Sequence, residues 1–182
     1  MKKKILIGLA IVGVIIVGDV LYGVLVVSKK SPIKVTEFGN GDLNVKVVYC
    51  QPYKKGRLIF GEEKDKALQP YGKYWRMGAN AATEITFSKD VVFGDKPVKA
   101  GTYRMYAIPN ADEWQVALNS ELGVYFAISE PDYKLDVIRT KVPVKSGPET
   151  EQFVINFSSD STTTNMDLTW DTTTVRVPIT PQ

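Results

Sequence analysis

The sequence predicts an all-β fold, an antiparallel β-sandwich (jelly-roll or Ig-like) of about nine strands preceded by one N-terminal transmembrane helix. Three observations carry this. Short apolar/polar alternations recur between turn signals at the spacing of a sandwich or barrel. No segment after the N-terminus sustains a helical period, which disfavours parallel βαβ architectures. A single long apolar run opens the chain.

That run extends from Ile5 to Val27, and only Asp19 and Tyr22 in it carry polar side-chain groups. Its sixteen Ile, Leu and Val residues contribute about −5 to −10 kcal/mol to insertion, against about +3 for one central aspartate. Insertion wins, and 23 residues are enough to cross a bilayer. A cleaved signal peptide is the rival reading, but neither Gly18 nor Gly23 has a small residue two positions earlier; Ile16 and Leu21 stand there. The expected organisation is an uncleaved anchor at 1–28, a linker at 29–42 and one domain at 43–182. Lys2, Lys3 and Lys4 face Lys29, Lys30 and Lys34 across the run. An N-terminal anchor with so little chain ahead of it leaves that end in the cytoplasm, so the domain is expected to be extracytoplasmic, in the periplasm.

Within the domain, LNVKVVY at 43–49 alternates as a half-buried strand and is closed by Pro52 and Gly56. EEKDKALQ at 62–69 reads as a solvated loop stopped by Pro70 and Gly72. TEITFSKDVVF, GDKP and VKAGTYRMYAIP give strand, turn and strand, and WQVALN continues the meander. Further strands are expected at 123–128, 136–144, 150–158, 165–170 and 174–179, with SGPE, SSDS and DTT as turns. Trp114 and Trp170 fall on strands and read as core.

Charge and composition mainly exclude. The chain has 23 basic and 20 acidic side chains; the first 27 residues hold three lysines and one aspartate, so the remainder is nearly neutral and gives no reason to expect nucleic acid as a partner. There is no histidine, which removes Ser-His and Cys-His nucleophilic pairs and His-based zinc sites. No P-loop, GxSxG elbow or dinucleotide fingerprint is present, and GNGDLN at 39–44 is too short for an EF-hand loop. No metal or cofactor is expected. Cys50 is the only cysteine, so no intrachain disulfide forms.

The alternation breaks at YGKYWRMGAN, residues 71–80, which combines two glycines, three aromatics, an arginine and an asparagine. Irregular backbone between strands is where a scaffold places function. Arg76 and Asn80 are the leading ligand-binding candidates, for a carboxylate, phosphate or sugar hydroxyl, with Tyr74 or Trp75 stacking alongside and Arg57 as a further candidate. The structural alternative has Arg76 satisfying buried loop carbonyls, Asn80 capping a turn and Trp75 filling the core. For Arg57, and for Arg139 with Asp136, an internal ion pair is the default. Asp112, Glu113 and Glu84 are the carboxylates that could serve a glycoside hydrolase if the fold brings them together.

GRLIFG at 56–61, YGKYWRMGANAATEITFSKDV at 71–91 and AGTY at 100–103 resemble the bacterial family known as domain of unknown function 2911. The resemblance extends to Pro109, Trp114, Asn119, Asp136, Arg139 and Trp170. It implies an envelope-associated β-sandwich and brings no catalytic residue. One departure is visible, since Cys50 and Gln51 stand where a Ser-Arg pair is expected before the proline. The resulting expectation is a membrane-anchored binding or structural module, with the lipid bilayer as partner through residues 5–27 and a glycan or envelope protein as ligand. A carboxylate-dependent hydrolase and a pure protein-protein scaffold are the alternatives.

Overall fold

A computed structural model of the chain describes residues 8, 11–18, 30–125 and 127–182. Residues 11–18 are helical and exposed, and no helix among the described residues is long and apolar enough to cross a membrane. The rest of the expected span lies outside the described residues.

From Ile33 onward the described residues form a mostly antiparallel all-β fold of eleven strands: β1 (Ile33–Asn40), β2 (Leu43–Cys50), β3 (Phe60–Gly61), β4 (Gln69–Pro70), β5 (Thr83–Phe87), β6 (Val91–Phe93), β7 (Lys96–Val98), β8 (Gly101–Ile108), β9 (Glu113–Asn119), β10 (Asp136–Asp160) and β11 (Thr163–Pro181). Nine of them follow the order β1-β2-β5-β8-β9-β10-β11-β6-β7, and β3 and β4 form a small parallel pair beside them. Neighbours in space are mostly neighbours in sequence. The exceptions are β2–β5, which skips the β3–β4 pair, and β5–β8, which skips the β6–β7 hairpin, itself carried across to pair with the end of β11.

Alternation produces these strands as expected. In β2, Leu43, Val45, Val47 and Tyr49 are buried while Asn44 and Lys46 are exposed. The nine-stranded order divides into two layers at β10, whose first part pairs with β9 and whose remainder pairs with β11. SGPE and DTT, expected as turns, instead mark the place where this long pair bends. Register shifts fall between Ser146 and Thr150 and between Thr150 and Val154, where Pro148 has no amide to give the ladder. Asp171, opposite Thr150, takes a positive φ of 54°. So four expected short strands are two long ones, and only SSDS leads into a hairpin, with Ser161 at φ 55°.

Two further expectations are corrected. Residues 33–40, assigned to the linker, form edge strand β1 in full register with β2. None of its side chains is buried, so it lacked the alternation that marks a half-buried strand. Residues 123–128 form no strand among those described; they belong to a loop that crosses outside the sheet, held by Ala82 N donating to Val124 O and Ala127 N donating to Asn80 O.

Folding β10 over itself yields a sandwich-like body. Phe38 of β1 stacks on Phe157 of β10 at 5.8 Å, and Thr140 on the first part of β10 donates to Asp95 beside β7 at 2.7 Å. Between the layers lies an aromatic nucleus of Phe60, Trp75, Trp114, Phe153 and Trp170. Its ring centroids are 4.8–6.2 Å apart, and Trp75 and Trp170 are stacked. Edge-to-face and offset geometry of this kind adds to what area burial alone supplies.

Candidate functional site

The segment 71–80 leaves the β3–β4 pair and enters β5, and its backbone is fixed at three levels. Trp75 forms an isolated bridge with Ala107 of β8, through N–H···O bonds of 2.8 and 2.9 Å in both directions, and its ring enters the aromatic nucleus at 2% exposure. Met77, fully buried, adopts a positive φ of 56°, and the buried Thr83 hydroxyl donates to its carbonyl at 2.7 Å. Gly78 follows at φ 152°, where a Cβ would meet the Cys50 carbonyl oxygen at 2.7 Å. Only glycine lets the loop lie this close to the end of β2. Asn80 returns to a positive φ of 58°, which asparagine tolerates better than most residues.

This backbone turns successive side chains to different sides. Arg76, Gly78, Ala79 and Asn80 line a cavity of about 470 Å³, closed by Lys30, Ser31, Pro52, Tyr53, Lys55, Arg57, Leu68, Gln69 and Trp170. Of the five expected ligand-binding residues, Arg57, Arg76 and Asn80 therefore come together. Trp75 does not, because it is core. Tyr74 points to the opposite side, where its hydroxyl donates to Ala127 O at 3.2 Å and accepts from Arg104 at 2.7 Å.

The cavity's electrostatics are one-sided. It is lined by Lys30, Lys55, Arg57 and Arg76 and by no aspartate or glutamate among the described residues. None of these four cations has an ion-pair partner among the described residues. The adjacent Lys54 differs, being clamped between Glu149 and Asp171 at 2.6 Å each, and those bonds raise its pKa. Arg57 spends two donors on the carbonyls of Lys54 and Tyr53, so the expected internal ion pair is absent among the described residues and the exposed guanidinium stays uncompensated. Half-buried Arg76 makes no hydrogen bond to a described residue, so the reading in which it satisfies loop carbonyls does not hold. Cys50 sits behind the loop, buried. Burial raises its thiol pKa, opposed by bonds from Ala81 and Asn80. A thiol held protonated in this way is a packing group.

On the far side of β8 lies a second polar cluster that the sequence reading missed. Arg104, 2% exposed, pairs with Glu121 and donates to Tyr74 and to Ser129 O. Tyr106 donates to Asp136 at 2.7 Å, and Asp136 also accepts from Asn119 and Arg139. The expected Arg139–Asp136 pair is thus present, with Arg139 lying 4.5 Å over the Tyr133 ring. The cluster pins the 120–135 segment onto the sheet. An arginine inside the apolar run TYRMYAI was its signal in the sequence.

The carboxylates do not assemble into one site. Asp112 and Glu113 line a separate cavity of about 600 Å³ with Glu62 and Tyr71, whereas Glu84 accepts from Gly123 N elsewhere. Among the described residues no group of His, Cys, Asp and Glu could hold a metal ion.

Fold and site together define an all-β domain with a cation-lined, acid-free cavity beneath an irregular loop. The family described as "Protein of unknown function (DUF2911)" matches residues 31–179, and the chain belongs to it. No curated protein and no solved structure matches the chain.

Proposed function

We propose that the protein is a membrane-anchored, extracytoplasmic binding module of the bacterial envelope whose cavity at Arg76, Asn80 and Arg57 takes an anionic ligand. The observation that carries this is the set of four lining cations without an ion-pair partner among the described residues, in a lining that holds no acid; outside that lining, the Glu151 carboxylate accepts from the Lys55 backbone N at 2.9 Å. Charges of one sign lining a cleft focus a field of their own sign and raise the local concentration of counter-ions, so a carboxylate, phosphate or sulfate is drawn into the cavity. Arg76 supplies a planar donor fork, Asn80 an amide, and Tyr53 a ring edge. The hydrolase alternative would need a carboxylate for acid-base chemistry; the described lining of this cavity has none, and the acids near the segment, Glu62, Asp112 and Glu113, line the separate cavity at Tyr71. The anchor reading is supported by the length and composition of residues 5–27.

The test is a thermal-shift series on the full chain in detergent. Anionic saccharides, phosphates and carboxylates are compared with their neutral counterparts, on the parent and on Arg76→Ala. A ligand at about 100 times its Kd stabilises the native state by about 2.7 kcal/mol. Anionic compounds should raise the Tm of the parent and not of the variant. Stabilisation by neutral compounds alone, or equally in both proteins, overturns the reading. Carbonate extraction of membranes tests the anchor separately.

A further inference from the structure

The cavity and the exposed part of the 120–135 segment meet at one place. Asn80 lines the cavity and its carbonyl accepts from Ala127 N, while Ala82 N donates to Val124 O. Large apolar side chains are exposed on the segments that form this junction and the cavity lining: Ile128 is 71% exposed and Leu122 48% on the 120–135 segment, while Leu58, next to Arg57, is 47% exposed and Ile33, two residues after Ser31, 68%. A basic depression on segments that also expose aliphatic side chains is the chemistry of a surface that meets a charged interface with a hydrocarbon layer behind it.

The covalent chain says which interface. The cavity's rim begins at Lys30, three residues beyond Val27, where the apolar run ends. Three residues of extended chain reach at most about 11 Å. The head-group layer on each side of a bilayer is about 5 to 8 Å deep. If Val27 marks the hydrocarbon boundary, the cavity cannot stand far beyond the head groups. A single tether fixes position but not tilt, and Lys30, Lys55, Arg57 and Arg76 supply the attraction that can fix tilt. Each Lys or Arg held near an anionic leaflet strengthens association about fivefold.

We propose that this end of the domain docks on the bilayer holding the anchor, its basic cavity taking the phosphate of an anionic phospholipid head group while Leu122 and Ile128 enter the interface. This rests on the anchored, anion-binding reading of the site and narrows its ligand to lipid. The opposite end, with the β1–β2 turn and Lys89, then points away from the membrane.

Spin-label accessibility of the full chain in nanodiscs tests it. In a Cys50→Ser background, nitroxide is placed at Ile128→Cys or at Lys89→Cys, in discs of neutral phosphatidylcholine or of phosphatidylcholine with phosphatidylglycerol. The label at 128 should gain oxygen collisions and lose collisions with a water-soluble nickel chelate, each about threefold or more, in the anionic discs. The label at 89 should remain in water. Arg76→Ala, or Lys55→Ala with both melts checked, should return the label at 128 towards its neutral-disc value. A label at 128 as water-accessible as that at 89 in anionic discs overturns the docking. Equal immersion in both disc types, indifferent to the arginine, overturns the head-group contact. Release by millimolar inorganic phosphate with no effect of lipid charge assigns the cavity to a free anion and overturns it as well. A chain that fails to enter discs at all refutes the anchor reading beneath it, which size exclusion reports independently.

Discussion

Gly78→Ala should destabilise the protein by about 2 to 6 kcal/mol, and the range is the sum of two separable effects. A φ of 152° is backbone that a residue with a Cβ holds only at about 1 to 3 kcal/mol. The new methyl would also stand 2.7 Å from the Cys50 carbonyl oxygen. That neighbour is backbone at the end of β2, paired with Ile33 of β1, and cannot swing away as a side chain would, so overpacking adds about 1 to 3 kcal/mol. Gly72→Ala isolates the first effect, because Gly72 also has a positive φ, of 73°, with nothing within 4 Å of an added Cβ. It should cost only the left-handed backbone penalty of about 1 to 2 kcal/mol. Urea melts of both variants, fitted with a common m-value, give the comparison directly. For a domain of this size each kcal/mol also moves Tm by about 2 to 4 °C. Equal losses would refute the argument that the loop is pressed against β2. A Gly78→Ala variant of full stability would mean that the loop relaxes freely and does not hold Arg76 and Asn80 in place.

Arg76→Ala should change stability by less than about 0.5 kcal/mol in the absence of ligand, since the guanidinium has no bonded partner among the described residues to strand; a loss of several kcal/mol in a urea melt would show that it is structural after all. Trp75→Ala should cost about 3 to 5 kcal/mol, because it empties the centre of the aromatic nucleus, and near-wild-type melting would contradict the packing. Glu121→Ala leaves the buried Arg104 charge without its carboxylate and should cost about 3 kcal/mol; hydrogen exchange should show the 120–135 amides opening, and protection equal to the parent's would refute it. Burial raises the pKa of Tyr74, of Tyr106 and of Tyr133, the last to about 12. An unfolded tyrosine titrates near 10, so the stability held by these neutral phenols is complete below about pH 10 and is lost as the pH climbs from there through about 12. Urea midpoints that stay flat between about pH 9.5 and 11.5 would count against that, and Tyr106→Phe should flatten the slope.

Much of the fold was legible because burial leaves a period in the sequence. β2, β5, β8 and β9 each carry one apolar face, and Trp114 and Trp170 sit where that face predicts. β1 was illegible for the same reason, since an edge strand with no buried side chain leaves no period. SGPE and DTT misled because glycine, proline and aspartate serve a bend within a strand as well as a turn between strands. The stretch at 123–128 misled in the other direction, since apolar residues such as Ile128 read as a strand's buried face and are exposed. At the site, a local reading found Arg76, Asn80 and Arg57 but not Lys30 and Lys55, because only the fold decides which cations share a cavity. Arg104 was passed over because an ion pair formed across 17 positions leaves no periodic trace.

The pairing of β6 with β11 joins residues 91–93 to 179–181, and Gln182 N donates to Asp90 O at 2.9 Å. A nascent chain therefore cannot complete the β10-β11-β6-β7 part of the sheet until residues 179–181 have been made. At about 5 to 20 residues per second, the β6–β7 hairpin waits roughly 4 to 18 s between its own synthesis and that of its partner. In that interval the β6 edge has no ladder partner, and Val91, Phe93 and Val98, all buried in the finished domain, lack the β11 side of their surroundings. Topologies dominated by such distant pairings fold slowly, so a chain that stops before Ile179 should remain an open sheet whose exposed β6 edge invites pairing with other chains.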